Sequence, residues 1–215
     1  MSSPALTRPD ADRGSAPAPA LALEGVTRQY AGRDVWAPLD LSLERATVSV
    51  VTGNNGSGKT TLLRLAAGLL RPSAGVRRCE GVALYLRAGA GLRGAQTVLE
   101  GVADTGGLVG RRAEAQASVA LVGLAPLASR RLGTLSAGER VRATLATAVV
   151  VQPSVLCLDE PTGALDDEGT TLLVRLLEQL RAAGCAVLVA SHQPAALLGV
   201  ADAHLHLADG RLAAR

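Results

Sequence analysis

The run Gly53-Asn-Asn-Gly-Ser-Gly-Lys-Thr-Thr61 decides the reading of this 215-residue chain. Glycines at this spacing let a backbone curl closely around an anion, and the lysine that follows adds a compact positive charge. Lys59 is the single lysine among 22 basic residues. Asn54 and Asn55 are the only asparagines, and phenylalanine and isoleucine do not occur at all. A composition that has shed lysine and asparagine everywhere else keeps all three in one loop. Arginine cannot replace an ammonium where a point charge must slot between phosphate oxygens. The run is read as a phosphate-binding loop. The N–H groups of Gly56, Gly58, Lys59, Thr60 and Thr61 would face the phosphates of a nucleotide, with Gly53, Asn54, Asn55 and Ser57 in the same site. Lys59 would bridge the β- and γ-phosphates, and the Thr60 hydroxyl would reach Mg²⁺.

The flanks fit this reading. Val48 to Thr52 is a short β-branched run ending at Gly53. Lys59 to Leu70 has helical apolar spacing and stops before Pro72. Strands are expected at 21–29, 39–44, 81–86, 155–158, 185–190 and 203–207, and helices at 137–151 and 169–182. Residues 97–150 read as a small helical insert, clearest from Glu114 to Val122. Alternation of apolar strands with helices predicts an α/β fold with a mainly parallel sheet and an antiparallel layer near the N-terminus. Residues 1–20 read as a disordered tail and 21–215 as one domain.

Composition narrows the function classes. Aromatic residues make up 1% of the chain, so the core must be built from Leu, Val and Ala, and stacking on single-stranded nucleic acid is not expected. Arg71, Arg77, Arg78, Arg87 and Arg93 form the densest basic stretch and could meet a membrane surface or an acidic partner. Cys79, Cys157 and Cys185 lack metal-ligand spacing and read as thiols in a reducing compartment. His204 and His206 alternate on a strand with no further ligand near and read as surface residues. No apolar run reaches the length that spans a bilayer, and the first twenty residues lack a secretory signal, so the chain reads as cytosolic.

Val155-Leu-Cys-Leu-Asp-Glu-Pro161 supplies a second half to the loop. Four apolar residues form a buried strand, and Asp159 and Glu160 emerge at its C-terminal end, where α/β sheets place ligands. Asp159 would hold Mg²⁺ through water, and Glu160 would act as general base on the attacking water.

With Leu135-Ser-Ala-Gly-Glu139 opening a helix between these halves, the chain resembles the nucleotide-binding subunit of an ATP-binding cassette (ABC) transporter. Five motifs stand in family order from about Leu21 onward. The resemblance implies that Ser136, Gly138 and Glu139 belong to the signature that grips the γ-phosphate of ATP on the other subunit of a dimer. It implies that Asp166, in Gly163-Ala-Leu-Asp166, crosses that interface. It also implies that His192 is the switch histidine and that Tyr30 stacks on adenine. Catalysis would then rest on Glu160, His192 and Lys59, with ATP and Mg²⁺ bound. The partners would be a second cassette, identical or not, and integral membrane subunits. The chain would lie in the cytoplasm, attached to the inner face of the membrane through them.

The chain departs from the family at three points. Ala137 and Glu139 replace a glycine and a glutamine in the signature, which could weaken the dimer. After the strand at 82–86 the family places a glutamine, where this chain has Arg87 or Ala88, and Gln96 comes too late. Altered metal dependence or coupling is the expected consequence. The short segment between Pro72 and Thr97 also suggests a trimmed β-hairpin. The reading is an ATPase that powers transport, with a leaning toward export because no regulatory extension follows the cassette. Two further readings stay open: a soluble ABC-type ATPase in protein or cofactor assembly, and a weakly hydrolysing regulatory cassette.

Overall fold

The structure, a computed structural model, describes residues 18–215. The expected tail lies outside the described residues up to position 17, and Ala20 is already buried. The chain begins with β1 (Leu21–Thr27), a two-residue hairpin of β2 (Gln29–Tyr30) and β3 (Arg33–Asp34), and then β4 (Leu39–Leu43). β5 (Val48–Thr52) leads through the Gly-rich loop into α1 (Lys59–Ala66), followed by β6 (Ala74–Cys79) and β7 (Ala83–Arg87). The helical region holds α2 (Val98–Gly107), α3 (Ala115–Leu121) and α4 (Ala137–Val151). The chain closes with β8 (Val155–Asp159), α5 (Asp167–Ala182), β9 (Ala186–Ala190), α6 (Ala195–Leu198), β10 (Ala203–Ala208) and β11 (Arg211–Ala214).

A six-stranded sheet in the order β11-β10-β5-β9-β8-β7 forms the centre, parallel except for β11. The continuous apolar runs of β5, β8 and β9 follow from burial on both faces. Val51, Val155, Cys157 and Leu188 pack toward α1 and a three-stranded antiparallel sheet, β4-β1-β6. Val50, Leu156, Leu158 and Val189 pack toward α4, α5 and the helical region. Among the described residues no helix is long and apolar enough to cross a membrane.

Several elements differ from expectation. Between α1 and β7 lies a strand that was not expected, β6, which pairs antiparallel with β1 from Leu21–Cys79 to Thr27–Ala74. Its sequence, Ala-Gly-Val-Arg-Arg-Cys, lies mostly exposed at a sheet edge, so no apolar alternation marked it. Helix α1 ends at Ala66 rather than Leu70, with Gly68 at φ +80° breaking it. The basic stretch is not one face: Arg77 donates to the Ala66 carbonyl at 2.8 Å, and Arg78 pairs with Glu24.

Burial sorts the thiols. Cys157 and Cys185 are enclosed, whereas Cys79 is half-buried on the edge strand β6. Desolvation pushes the Cys185 thiol up to about 12 and raises Cys157 as well. A thiol reagent at neutral pH should therefore titrate one cysteine rapidly in the native protein and all three after denaturation. Rapid modification of a second thiol in native protein would show that the sheet opens far more readily than this packing allows.

Candidate functional site

The loop between β5 and α1 owes its shape to glycines in left-handed conformations, two of which leave no room for a side chain. Gly53, Gly56 and Gly58 take φ of +150°, +81° and +101°. A Cβ on Gly53 would lie 2.2 Å from the Leu207 carbonyl, and one on Gly58 would lie 2.8 Å from the Trp36 ring. Trp36, the one tryptophan, is buried, and its indole N–H donates to the Val26 carbonyl at 3.1 Å. It wedges the N-terminal strands against the loop, a role that no local pattern announced.

Lys59, only 7% exposed, donates its ammonium to the carbonyls of Gly53 at 2.7 Å and Asn54 at 3.1 Å. The ammonium is thus held over the curl of the loop, beside the start of α1, whose N–H groups and dipole favour an anion. The Ser57 hydroxyl is buried without a hydrogen-bond partner among the described residues, as suits a loop that closes on a ligand. Asn54, Asn55 and Gly56 remain exposed on the rim.

Asp159 ends β8, is 3% exposed, and faces α1. Its Oδ2 accepts the Thr60 hydroxyl at 2.8 Å. A hydroxyl and a carboxylate so placed fit Mg²⁺, which takes a few protein oxygens and completes its shell with phosphate and water. Tyr85 of β7 donates to the same Oδ2 at 2.8 Å, a contact the sequence reading did not foresee.

Glu160 follows with φ +54°, a left-handed conformation that costs a non-glycine residue about 1 kcal/mol or more. The bend turns its carboxylate toward the segment after β9. There Oε2 accepts the His192 backbone N–H at 3.1 Å and meets Nδ1 of the ring at 2.6 Å. An ionised carboxylate only accepts, so Nδ1 carries the hydrogen and Nε2 points away with its lone pair when the ring is neutral.

A groove of about 460 Å³ runs from Gly53–Asn55 past His192 to His204 and His206. Both of these histidines are half-buried rather than at the surface. His204 Nε2 and His206 Nδ1 each lie 3.0 Å from the Thr52 hydroxyl, directly before the loop. Strand β10 pairs with β5 in a register that opposes His206 to Thr52, which is why spacing within β10 alone could not show the contact.

The remaining expected residues lie apart from the loop. Ser136 caps α4: its hydroxyl accepts the Glu139 N–H at 3.2 Å, while Glu139 Oε2 accepts the Ser136 N–H at 2.7 Å. That reciprocal capping holds the Glu139 carboxyl below its ordinary range and explains glutamate at this position. A Cβ on Gly138 would stand 3.1 Å from the Ala164 carbonyl, so glycine lets the helix end approach the 163–166 turn. Asp166 caps α5 by accepting the Gly169 N–H at 2.8 Å. Within one subunit, then, Ser136, Glu139 and Asp166 spend these contacts on helix ends. Tyr30 is half-exposed in the β2–β3 hairpin, with the Arg28 guanidinium 4.8 Å from its ring centre. Arg87 ends β7 opposite Asp159 in register, and Gln96 bonds Asp104 at 2.6 Å in the helical region.

The chain is similar in sequence and in fold to known proteins. A family model described as ABC transporter matches residues 37–163. A phosphonates import ATP-binding protein of Natronomonas pharaonis is 36% identical, over 89% of this chain and 91% of its own length. A zinc import ATP-binding protein of Halorhodospira halophila is also 36% identical, over 97% of this chain and 81% of its own. An aliphatic sulfonates import ATP-binding protein of Pseudomonas aeruginosa is 36% identical, over 89% and 73%. Among solved structures, a dimeric ATP-binding cassette with ADP and phosphate matches at TM-score 0.81 and 21% identity, over 90% of this chain and 98% of that one. An inward-facing metal-chelate type ABC transporter matches at TM-score 0.80 and 24% identity, over 92% and 83%. These two likenesses are likenesses of fold.

Proposed function

The chain belongs to the ABC transporter family as an ATP-binding cassette that hydrolyses ATP for transport, and from that premise we propose that it powers import through separate membrane subunits, as one half of a dimer. The direction revises the leaning toward export. The three relatives described above are import proteins for phosphonates, sulfonates and zinc. Their cargoes differ in charge and chemistry, so cargo choice is assigned to the membrane subunits and their partners rather than to the cassette.

The observation that carries the mechanism is the meeting of three chain segments at the C-terminal edge of the parallel sheet. Lys59, poised over the loop, and the loop amides would hold the phosphates; Thr60 and Asp159, already in contact, would hold Mg²⁺; Glu160 would accept a proton from the attacking water; and His192, oriented by Glu160, would present Nε2 to the γ-phosphate. Held by Thr60 and Asp159, Mg²⁺ would supply charge neutralisation for the phosphates. Tyr30 is assigned to adenine stacking. As the family resemblance implies, the signature at the α4 N-terminus, where Gly138 lets the helix end approach the Ala164 carbonyl of the 163–166 turn, is assigned to the phosphates bound by a second copy. Asp166 lies beside that turn and is assigned to the dimer interface.

The test is a pull-down from host membranes with tagged Glu160→Gln protein and Mg·ATP. A multi-span membrane protein is expected in the eluate. Reconstituted with that partner, the native protein should drive solute into the compartment that holds the cassette and ATP. Recovery of soluble proteins alone would favour the assembly ATPase, and movement of solute away from that compartment would restore export.

A further inference from the structure

Tyr85 is one of two tyrosines in the chain, and nothing in the assigned machinery uses it. It lies on the edge strand β7, two residues before Arg87 and so on the same face. Its ring packs on the α1 side of the sheet, with the Arg64 guanidinium 5.6 Å from the ring centre. Its hydroxyl reaches Asp159 Oδ2 at 2.8 Å, the oxygen that also receives the Thr60 hydroxyl at 2.8 Å. No other side chain donates to this carboxylate among the described residues. Burial raises the phenol's pKa, with the Asp159 hydrogen bond adding to it, so the hydroxyl keeps its proton and remains a donor at neutral pH.

A phenylalanine would fill the same space against α1 and the sheet, so packing alone does not account for the hydroxyl. It is aimed at a carboxylate that is 3% exposed. A buried carboxylate with one donor can rotate about its terminal torsion, whereas two donors converging on one oxygen hold it in place. The donors also differ in what else they serve. Thr60 is itself assigned to Mg²⁺, while Tyr85 approaches from the opposite element with Arg64 as its other polar neighbour. The position where the family resemblance expects a metal-touching glutamine holds Arg87 or Ala88, at the end of the same strand or just after it.

We propose that Tyr85 is a positioning residue for the Mg²⁺ site, its phenolic hydroxyl fixing the Asp159 carboxylate from the edge strand. The site thereby gains from β7 a protein contact in place of the missing glutamine. The edge strand, and through Ala88, whose N–H donates to the Asp159 carbonyl at 3.1 Å, the segment leading to α2, are tied to the carboxylate. This rests on the assignment of Asp159 to Mg²⁺ made above.

The experiment is a Mg²⁺ titration of ATP binding, read by displacement of a fluorescent nucleotide, for the wild type, Tyr85→Phe, Asp159→Asn and the double variant, with a parallel series in EDTA. Tyr85→Phe should leave ATP affinity in EDTA unchanged and raise the Mg²⁺ half-point about tenfold, the worth of one hydrogen bond to a charged group. In the Asp159→Asn background the same change should have little further effect. An unchanged half-point in folded Tyr85→Phe, or an equal shift with and without Asp159, would overturn the proposal. A wild type whose ATP binding ignores Mg²⁺ would instead overturn the assignment of Asp159. Should Tyr85→Phe fail to fold, the tyrosine difference spectrum of Tyr30→Phe protein reads the same contact. A Mg²⁺-dependent change of the remaining Tyr85 signal, beyond that caused by ATP in EDTA, is expected, and its absence overturns the proposal.

Discussion

Glu160→Gln should lower ATP turnover by roughly 10²–10⁴-fold while leaving ATP affinity nearly unchanged, the range a positioned general base contributes. The amide has the size of the carboxylate, and its oxygen can still accept the His192 backbone N–H and Nδ1–H that now reach Oε2 at 3.1 and 2.6 Å. The strained backbone at φ +54° is also retained, because the substitution leaves the main chain alone. What is lost is the capacity to take a proton. The variant should bind Mg·ATP, dimerise, and stay in that state. Single-turnover hydrolysis together with size-exclusion chromatography in ATP separates the two effects. Turnover within about tenfold of the wild type would remove Glu160 from the base role. Monomers at saturating ATP would contradict the shared-site dimer.

Lys59→Ala should act at an earlier step. Its ammonium is 7% exposed and already held by two loop carbonyls, so it is pre-positioned and its entropy of ordering is spent before nucleotide arrives. Two charge-assisted contacts to phosphate, at about 1.5–3 kcal/mol each, correspond to an affinity loss of at least about 100-fold. Turnover should then fall below detection at ordinary ATP concentrations. Lys59→Arg should restore little, since a planar guanidinium does not fit between the same two carbonyls. Isothermal titration with ATP is the direct measurement. Affinity within threefold of the wild type would mean that the backbone amides alone hold the phosphates.

Local order in the chain made much of this molecule legible. The Gly-rich run between a β-branched strand and an apolar helix, and the four apolar residues that bring Asp159 and Glu160 to the end of β8, are patterns of chain neighbours. Their conformations follow from steric freedom at glycine and from burial on both faces of a parallel sheet. The helix from Ala137 to Val151 was legible for the same reason, as a local pattern that Pro153 ends, and the capping box of Ser136 and Glu139 that the structure shows at its start is also written within four residues.

Tertiary structure alone decided the contacts that cross the chain. Tyr85 meets Asp159 over a separation of 74 residues, and His204 meets Thr52 over 152. Neither pairing follows from spacing, because the order β10-β5-β9-β8-β7 sets which strand ends lie side by side. Trp36 against Gly58 is of the same kind, a packing contact between separate layers. The exposed edge strand β6 escaped notice because its stability comes from main-chain pairing with β1, which leaves no apolar signature in the side chains. Sequence by itself thus determined the Gly-rich loop, the paired carboxylates and the parallel α/β core. The fold decided the company they keep, because hydrogen bonds across strands depend on sheet order and register, which local pattern does not encode.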